Sequence, residues 1–304
     1  MAAGLVLAAL ALAAFAAGVL SGGGKDEDDA GRSAGGPKPT PTPPPELPRG
    51  GRELLPQHRI VAYYGAPQAD ALGALGIGSP DSAARRLVRQ ARPYESKARP
   101  VLPALELIAV IANADPGKDG MYRTRQPNAV IRRYLRAARR HKMLLVLDIQ
   151  PGRSDFFTEA TRLRRGLREP DDGLALDPEW HVTAPQVPGQ VIGQVGSREV
   201  NATSAWLEQL VDREDLPQKL FIVHQFTNDM VDDAQLKRRP HLAMVLNADG
   251  FGSAPLKIAK YRAFTRAAPA FHQGFKLFYE EDAGLMKPRR VMRLRPAPDV
   301  VVYE

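Results

Sequence analysis

The chain has 304 residues, of which 44% are hydrophobic and 25% are charged, and its formal net charge is +8. This length can bury the core of one large domain or of two small ones. The sequence contains no cysteine, which excludes disulfide bonds, thiolate zinc sites and a cysteine nucleophile.

The first twenty residues are almost wholly alanine, leucine, valine, glycine and phenylalanine. Such a run is typical of a signal peptide or of a single membrane anchor. No lysine or arginine precedes Lys25, so the usual basic start of a signal peptide is missing. We predict a signal peptide or membrane anchor over residues 1–21 and an exported chain, extracellular or in the cell envelope. A membrane is contacted only through this segment.

Residues 22–50 are rich in glycine and proline, and residues 37–45 alternate proline with lysine and threonine. A segment of this composition is extended and solvated. We predict a disordered linker over residues 22–50. It serves either as a stalk that holds a domain away from the membrane or as an ordinary disordered leader. Residues 51–304 are predicted to form one domain.

From residue 58 onward, short apolar runs alternate with longer helical patterns, which indicates parallel strand pairing. Several runs are apolar on both faces, so both faces of the sheet are expected to be buried. Eight such units match the size of an α/β fold of the (β/α)8 TIM type, with the eighth strand at the C-terminus. The predicted strands are 59–65, 102–111, 143–149, 173–177, 220–226, 242–247, 275–279 and 300–303. The predicted helices are 81–95, 128–141, 155–168, 198–213, 229–238, 254–267 and 282–293.

An open doubly wound sheet is the alternative fold. It would usually carry a glycine-rich phosphate loop after its first strand, but residues 62–67 read Ala-Tyr-Tyr-Gly-Ala-Pro. The basic charge raises a second alternative, nucleic-acid binding. Arginines recur around the predicted helix 128–141, but no aromatic stacking platform accompanies them. We therefore interpret them as a solvated face and predict no nucleic-acid partner.

Polar side chains follow most of the predicted strands at the end where each strand stops. In a parallel barrel the carboxyl ends of the strands form the mouth that carries the active site. Charged groups there are costly when they are buried without partners, so their recurrence predicts a functional site. The candidates are Tyr63, Asp148, Gln150, Asp177, Glu179, Trp180, His224, Asn247, Asp249, Tyr279 and Glu281.

Structural alternatives exist for these candidates. Asp177 before a proline and the run 247–250 also fit turn chemistry. Asp148 can cap a loop, His224 can be a hydrogen-bonded core histidine, and the aromatic candidates can be plain packing. Glu106 lies in the middle of the second predicted strand, where it either faces inward with a partner or marks an error in the strand assignment.

Motifs of several other chemistries are absent from the sequence, including HExxH, GxGxxG, the P-loop and GxSxG. Lys142 and Lys276 fall at the starts of predicted strands, the wrong end for a Schiff base. No metal and no cofactor is predicted. The open alternative is a divalent ion held by carboxylates, namely those of Asp148, Asp177, Glu179 and Asp249.

Residues 172–179 read Asp-Gly-Leu-Ala-Leu-Asp-Pro-Glu. This run resembles D-G-x-D-x-D-x-E, the fourth-strand signature of chitinase-type glycoside hydrolases of family 18, and it falls on the fourth predicted strand. The resemblance implies that Glu179 is the general acid and that Asp177 supports it. Ala175 stands where the pattern has its middle aspartate.

The residues themselves lead to a similar mechanism. Glycoside cleavage needs one protonated carboxyl at the leaving oxygen, and Asp177 together with burial against Trp180 would raise the pKa of Glu179. Asp148, Asp249 and Glu281 are candidates for a second carboxyl. We predict an exported, monomeric glycoside hydrolase that acts on a cell-wall or extracellular polysaccharide. The alternatives are a non-catalytic barrel that binds such a glycan and a metal-assisted hydrolase or lyase. Hydroxyl-orienting residues would be Tyr63, Gln150, His224, Asn247 and Tyr279.

Overall fold

The computed structural model describes residues 43–304. The predicted signal peptide or anchor at 1–21, and the predicted linker as far as residue 42, lie outside the described residues. Among residues 43–304, no helix combines the length and the apolar character that crossing a bilayer requires.

Eight parallel strands of the described chain close on themselves as a barrel. β1 pairs with both β2 and β9, and the order around the barrel is β1, β9, β8, β7, β6, β5, β4, β2. This confirms the predicted (β/α)8 TIM-type barrel with its eighth strand at the C-terminal end. The strands are β1 (Arg59–Gly65), β2 (Val101–Ala112), β3 (Arg123–Arg125), β4 (Leu144–Ile149), β5 (Asp172–Leu176), β6 (Lys219–Gln225), β7 (Leu242–Ala248), β8 (His272–Leu277) and β9 (Val300–Tyr303).

The short strand β3 was not predicted and is not part of the barrel wall. It pairs antiparallel with the end of β2, so it extends one edge above the barrel. The helices on the outside are α1 (Pro80–Ala91), α2 (Asn128–Arg140), α3 (Phe156–Arg162), α4 (Arg164–Leu167), α5 (Ser197–Arg213), α6 (Ala254–Ala267) and α7 (Pro288–Val291).

Two predicted helices are wrong. Over the predicted helix 229–238, the structure has only a 3-10 turn at Asp233–Gln235. Met230 and Val231 are instead buried in the outer core, where Val231 forms an isolated β-bridge with Val195. Over the predicted helix 282–293, only the four residues of α7 are helical. Pro288 explains this late start, since proline is favoured at the first position of a helix and disfavours helical backbone just before it.

The side chains that fill the barrel change from apolar to polar along most of its strands, whereas on β2 the polar Glu106 is followed by the apolar Ile108. Because side chains alternate between the two faces of a strand, every second residue points inward. On β1 the inward row is Ile60, Ala62 and Tyr64, all within the apolar cluster that the barrel encloses. The other face of the sheet packs against the helices in a second apolar cluster. The inward rows therefore fill the amino-terminal part of the barrel and place polar groups at its carboxyl end.

The amino-terminal end of the barrel is closed by residues before β1. Leu47, Leu54 and Leu55 are almost completely buried and belong to the same enclosed cluster. A backbone hydrogen bond from Gly50 N to Leu47 O forms a turn here. The predicted linker boundary at residue 50 is therefore too late, since the chain already packs against the barrel at Leu47.

Candidate active site

A layer of polar side chains lies at the carboxyl end of the barrel. Every barrel strand contributes to it, because each inward row carries a polar residue towards the carboxyl end of the strand or just after it; on β2 this residue is Glu106, which the apolar Ile108 follows. Polar groups in such a place are costly unless they pair with one another. This polar layer consists of Tyr64, Glu106, Asp148, Asp177, His224, Asn247, Asp249, Lys276 and Glu304.

The polar layer forms the floor of a cavity of about 250 Å³. Cavities that hold drug-sized ligands typically span about 300–1,000 Å³, so this one suits a smaller group. Part of its lining is aromatic, and Phe251 is 58% exposed at the rim. The floor residues are Tyr64, Asp177, Asp249, Lys276 and Glu304, and the aromatic lining comprises Trp180, Phe226, Phe251 and Phe278.

The Tyr64 hydroxyl joins three side chains of the site. It donates to Asp177 Oδ2 at 3.1 Å, accepts from Gln150 Nε2 at 2.9 Å and lies 3.4 Å from Asp148 Oδ1. Burial and the two neighbouring aspartates hold the pKa of Tyr64 well above its usual value. The phenol therefore stays a hydrogen-bond donor and fixes the position of Asp177.

Replacing Tyr64 by phenylalanine is expected to destabilise the fold by about 1–3 kcal/mol, because buried polar partners lose their hydrogen bond. The matched control is Tyr134→Phe. The Tyr134 hydroxyl is buried and has no hydrogen-bond partner among the described residues, so its removal should cost close to nothing. Urea unfolding of both variants measures the difference. Equal losses in the two variants would show that the Tyr64 hydroxyl contributes no specific hydrogen bond.

Lys276 forms ion pairs with two carboxylates of the polar layer. Its Nζ lies 3.1 Å from Asp249 Oδ2 and 2.7 Å from Glu304 Oε2. On the other side of Asp249, His224 Nδ1 lies 2.9 Å from Oδ2. Burial alone would raise the pKa of Asp249, but Lys276 and His224 outweigh it and hold this pKa below the usual carboxyl value. Asp249 is therefore an ionised carboxylate within the cavity.

The electrostatic environment of Glu179 is opposite to that of Asp249. Burial, reinforced by the negative charges of Asp177 and Asp249, raises its pKa to about 8. The residue sits in a 3-10 turn, Pro178–Trp180, directly after β5. The Gly193 amide donates to the Glu179 carbonyl at 2.7 Å, and a Cβ at Gly193 would lie 2.4 Å from a backbone oxygen. The turn is thus fixed, and it presents a protonated carboxyl to the cavity at neutral pH.

Six of the residues predicted for the site line this one cavity: Gln150, Asp177, Glu179, Trp180, Asp249 and Glu281. Three others, Asp148, His224 and Asn247, are buried in the polar layer, and the cavity lining does not include them. The proposed role of Asp148 as a carboxyl that contacts substrate does not fit this position. Asp148 instead lies 3.4 Å from the hydroxyl of Tyr64, which does line the cavity.

Tyr63 and Tyr279 do not line the cavity, contrary to the prediction. Tyr63 points outward from β1 into the outer core, and the Tyr279 hydroxyl donates to the Tyr63 hydroxyl at 3.2 Å. Their rings meet edge to face with centroids 6.2 Å apart. The inward-facing tyrosine of β1 is Tyr64, one residue further along.

Sequence reasoning also missed Lys276 and Glu304 as site residues. β8 begins at His272, three residues before the predicted start, so Lys276 lies at the carboxyl end of its strand and not at its beginning. The rejection of Lys276 on the ground of its position was therefore wrong. Glu304 follows β9 with the inward parity of Val300 and Val302, a spacing that could have identified it.

Comparisons with known proteins give structural neighbours only. No family model and no curated protein sequence matches the chain. A sialic acid aldolase from Ruminococcus gnavus, a catalytic lysine mutant, is 10% identical with a TM-score of 0.42, over 82% of this chain and 68% of that chain. A 5-methylcytosine deaminase from Klebsiella pneumoniae, bound to 5-fluorocytosine, is 12% identical with a TM-score of 0.35, over 75% and 53% of the two chains. The barrel is assigned from its own strand pairing, and these distant similarities carry no conclusion about activity.

Proposed function

We propose that this barrel is a glycoside hydrolase in which Glu179 is the general acid. The observation that carries the proposal is that one cavity holds two carboxyl groups whose pKa values are shifted in opposite directions. The pKa of Glu179 is raised to about 8, whereas that of Asp249 is held low by Lys276 and His224. A protonated and an ionised carboxyl in the lining of one cavity are the two groups that acid-assisted cleavage of a glycosidic bond requires.

In this mechanism Glu179 gives its proton to the leaving glycosidic oxygen as the sugar acquires oxocarbenium character. Asp249 is the second carboxylate, because it lines the same cavity and Lys276 keeps it anchored. It acts either as the nucleophile or as the base that activates water. Where the substrate carries an acetamido group that itself attacks, no second carboxyl is needed, and the resemblance of residues 172–179 to chitinase-type enzymes implies that Asp177 supports Glu179.

The cavity walls fit a sugar better than an extended apolar ligand. Trp180 and the exposed Phe251 offer flat apolar faces, against which the C–H face of a sugar ring can pack. Gln150 and Glu281 offer hydrogen-bonding groups beside them. We further propose that the substrate is a cell-wall or extracellular polysaccharide and that the chain is exported as a monomer. Export rests on the apolar run and the proline-rich segment at its amino terminus.

The proposal is tested by incubating the full-length chain with a panel of cell-wall polysaccharides and analysing released fragments by mass spectrometry. Release of oligosaccharides by the natural chain, and none by Glu179→Gln, is the expected result. A polysaccharide that binds both forms without being cleaved would identify the protein as a non-catalytic glycan-binding barrel. The replacement of the middle motif aspartate by Ala175, an apolar residue inside the barrel, favours that second candidate.

A further inference from the structure

Three members of the polar layer that do not line the cavity form a compact group. Glu106, Asp148 and His224 each offer one ligand atom, and these three atoms lie within 4.8 Å of one another. His224 Nε2 is 3.0 Å from Glu106 Oε1 and 3.9 Å from Asp148 Oδ2. The three residues come from β2, β4 and β6, so the closed barrel fixes their mutual positions.

The two carboxylates of this group are not satisfied by the protein. Glu106 and Asp148 are 0% exposed, so bulk water does not reach them. Even so, Glu106 Oε2 and Asp148 Oδ2 have no hydrogen-bond partner among the described residues. Buried oxygens of this kind are rare and point to a group that completes them.

The charge of the polar layer points in the same direction. It holds five carboxyl groups but only two groups that can be cationic, His224 and Lys276. Lys276 already pairs with Asp249 and Glu304, and it makes no ion pair with Glu106 or Asp148 among the described residues. Buried carboxylates persist only with a compensating charge or a proton.

We propose that Glu106, Asp148 and His224 bind one divalent metal ion of the zinc type beside the catalytic cavity. One imidazole nitrogen and two carboxylate oxygens suit Zn²⁺, which is commonly held by three or four protein ligands. Mg²⁺ and Ca²⁺ suit the site less well, because they favour six or more oxygen ligands.

The surroundings of His224 agree with this assignment. Histidines that bind metal through one nitrogen usually donate their other N–H to a carboxylate, which fixes the ring. His224 Nδ1 lies 2.9 Å from Asp249 Oδ2, so Nε2 faces Glu106 and Asp148. Because none of the three ligand residues lines the cavity, the ion would not contact substrate. It would hold Asp148 and, through Tyr64, the position of Asp177.

The test uses the full-length chain after chelator treatment and dialysis. Elemental analysis after addition of ZnCl₂ and removal of the excess is expected to give one zinc per chain. The thermal unfolding temperature should rise with zinc concentration and should not respond to the same concentrations of MgCl₂. If the chain retains no zinc and its unfolding temperature is indifferent to zinc, the proposal is overturned, and a proton shared between Glu106 and Asp148 is the better account.

Variants locate the ion. Glu106→Gln and Asp148→Asn should each weaken zinc binding by more than the ~10–100-fold that loss of an outer-shell partner costs. The matched control is Asp172→Asn. Asp172 is also buried with both side-chain oxygens unpartnered among the described residues, but it lies at the opposite end of the barrel. The Asp172→Asn substitution should leave the affinity for zinc unchanged.

Unaltered zinc affinity in both ligand variants would place the ion elsewhere and overturn the assignment. Should these variants fail to fold, crystals of the natural chain with zinc decide by anomalous scattering. A peak between the three side chains supports the site, and a peak elsewhere or none contradicts it.

Discussion

Glu179→Gln is expected to reduce kcat by roughly 10²–10⁴-fold, the usual contribution of a positioned general acid. Glutamine keeps the shape of the side chain but has no proton to give to the leaving oxygen. Substrate binding should stay within about tenfold, because the floor and the aromatic lining of the cavity are unchanged. Initial rates and equilibrium binding on a cleavable oligosaccharide separate the two quantities.

A pH profile gives this prediction a second signature. Since the pKa of Glu179 is raised to about 8, the acid is protonated at neutral pH. We expect kcat/KM to fall as the pH rises through about 8, whereas an ordinary glutamate would lose its proton near pH 4.5. The residual activity of Glu179→Gln should lack this alkaline limb. If the limb persists in the variant, another group supplies the proton and the assignment of Glu179 is wrong.

Folding stability separates a catalytic loss from misfolding. The folded-state pKa of Glu179, about 8, lies above the ordinary glutamate value of 4.5, so between those values the folded state binds more protons than the unfolded state. The contribution of Glu179 to stability therefore declines as the pH rises through this window. Glutamine removes that penalty, and Glu179→Gln should be at least as stable as the natural chain at pH 8 and above. Glu280→Gln, an exposed neighbour outside the cavity lining, is the control for both rate and stability.

The barrel could be predicted because its signal is repeated. Apolar runs that alternate with helical patterns recur from residue 58 onward, and errors in individual boundaries do not change the parallel pairing that they imply. Local patterns failed where the tertiary context determined the structure. The predicted helix 229–238 is an example, because Met230 and Val231 are buried in the outer core and Val231 forms a β-bridge with Val195 instead.

The site was predicted less completely than the barrel, for a reason that Tyr63 and Tyr64 illustrate. Both are buried, because one face of β1 meets the barrel interior and the other meets the helices. A strand that is apolar on both faces contains no polar alternation from which to read its orientation. The sequence therefore indicated that a tyrosine marks the end of β1 but not which one points inward.

The prediction for Lys276 failed for a related reason. Residues His272–Gly274 at the start of β8 have weak strand character, and the apolar residues that attract attention come later. A shift of three residues in the start of a strand moves a lysine from the amino-terminal end of the barrel to its mouth. Only the pairing of β8 with β7 and β9 fixes this register.

Lys276→Met is expected to give a large loss of stability, about 3–5 kcal/mol at neutral pH, the range measured when one partner of a buried ion pair is removed. The substitution leaves Asp249 and Glu304 without their shared cation. It also removes an ammonium group 3.8 Å from the centre of the Tyr64 ring. Methionine preserves much of the side-chain volume, so the loss of stability measures the effect of removing the charge and not a change in packing. Urea unfolding at pH 7 measures it.

Lys219→Met is the matched control for this prediction. Lys219 is also buried, but its Nζ donates to the backbone carbonyls of Glu169 and Asp172 and makes no ion pair within 4 Å among the described residues. Its replacement should cost less than that of Lys276, because no carboxylate within 4 Å loses its partner. Burial raises the pKa of the Asp172 carboxyl, and the charge of Lys219 opposes this rise from beyond that distance. Similar losses in the two variants would contradict a special role for the Lys276 ion pairs.

The charge interpretation predicts partial rescue of Lys276→Met in two ways. Adding Glu304→Gln removes one of the two uncompensated carboxylates, so the double variant should be more stable than Lys276→Met alone. Lowering the pH should act similarly. Without Lys276, burial holds the pKa of Glu304 further above its unfolded value, so the folded state takes up a proton and gains relative stability as the pH falls. A double variant less stable than the single one, together with no gain at acidic pH, would show that Lys276 stabilises the barrel through packing instead.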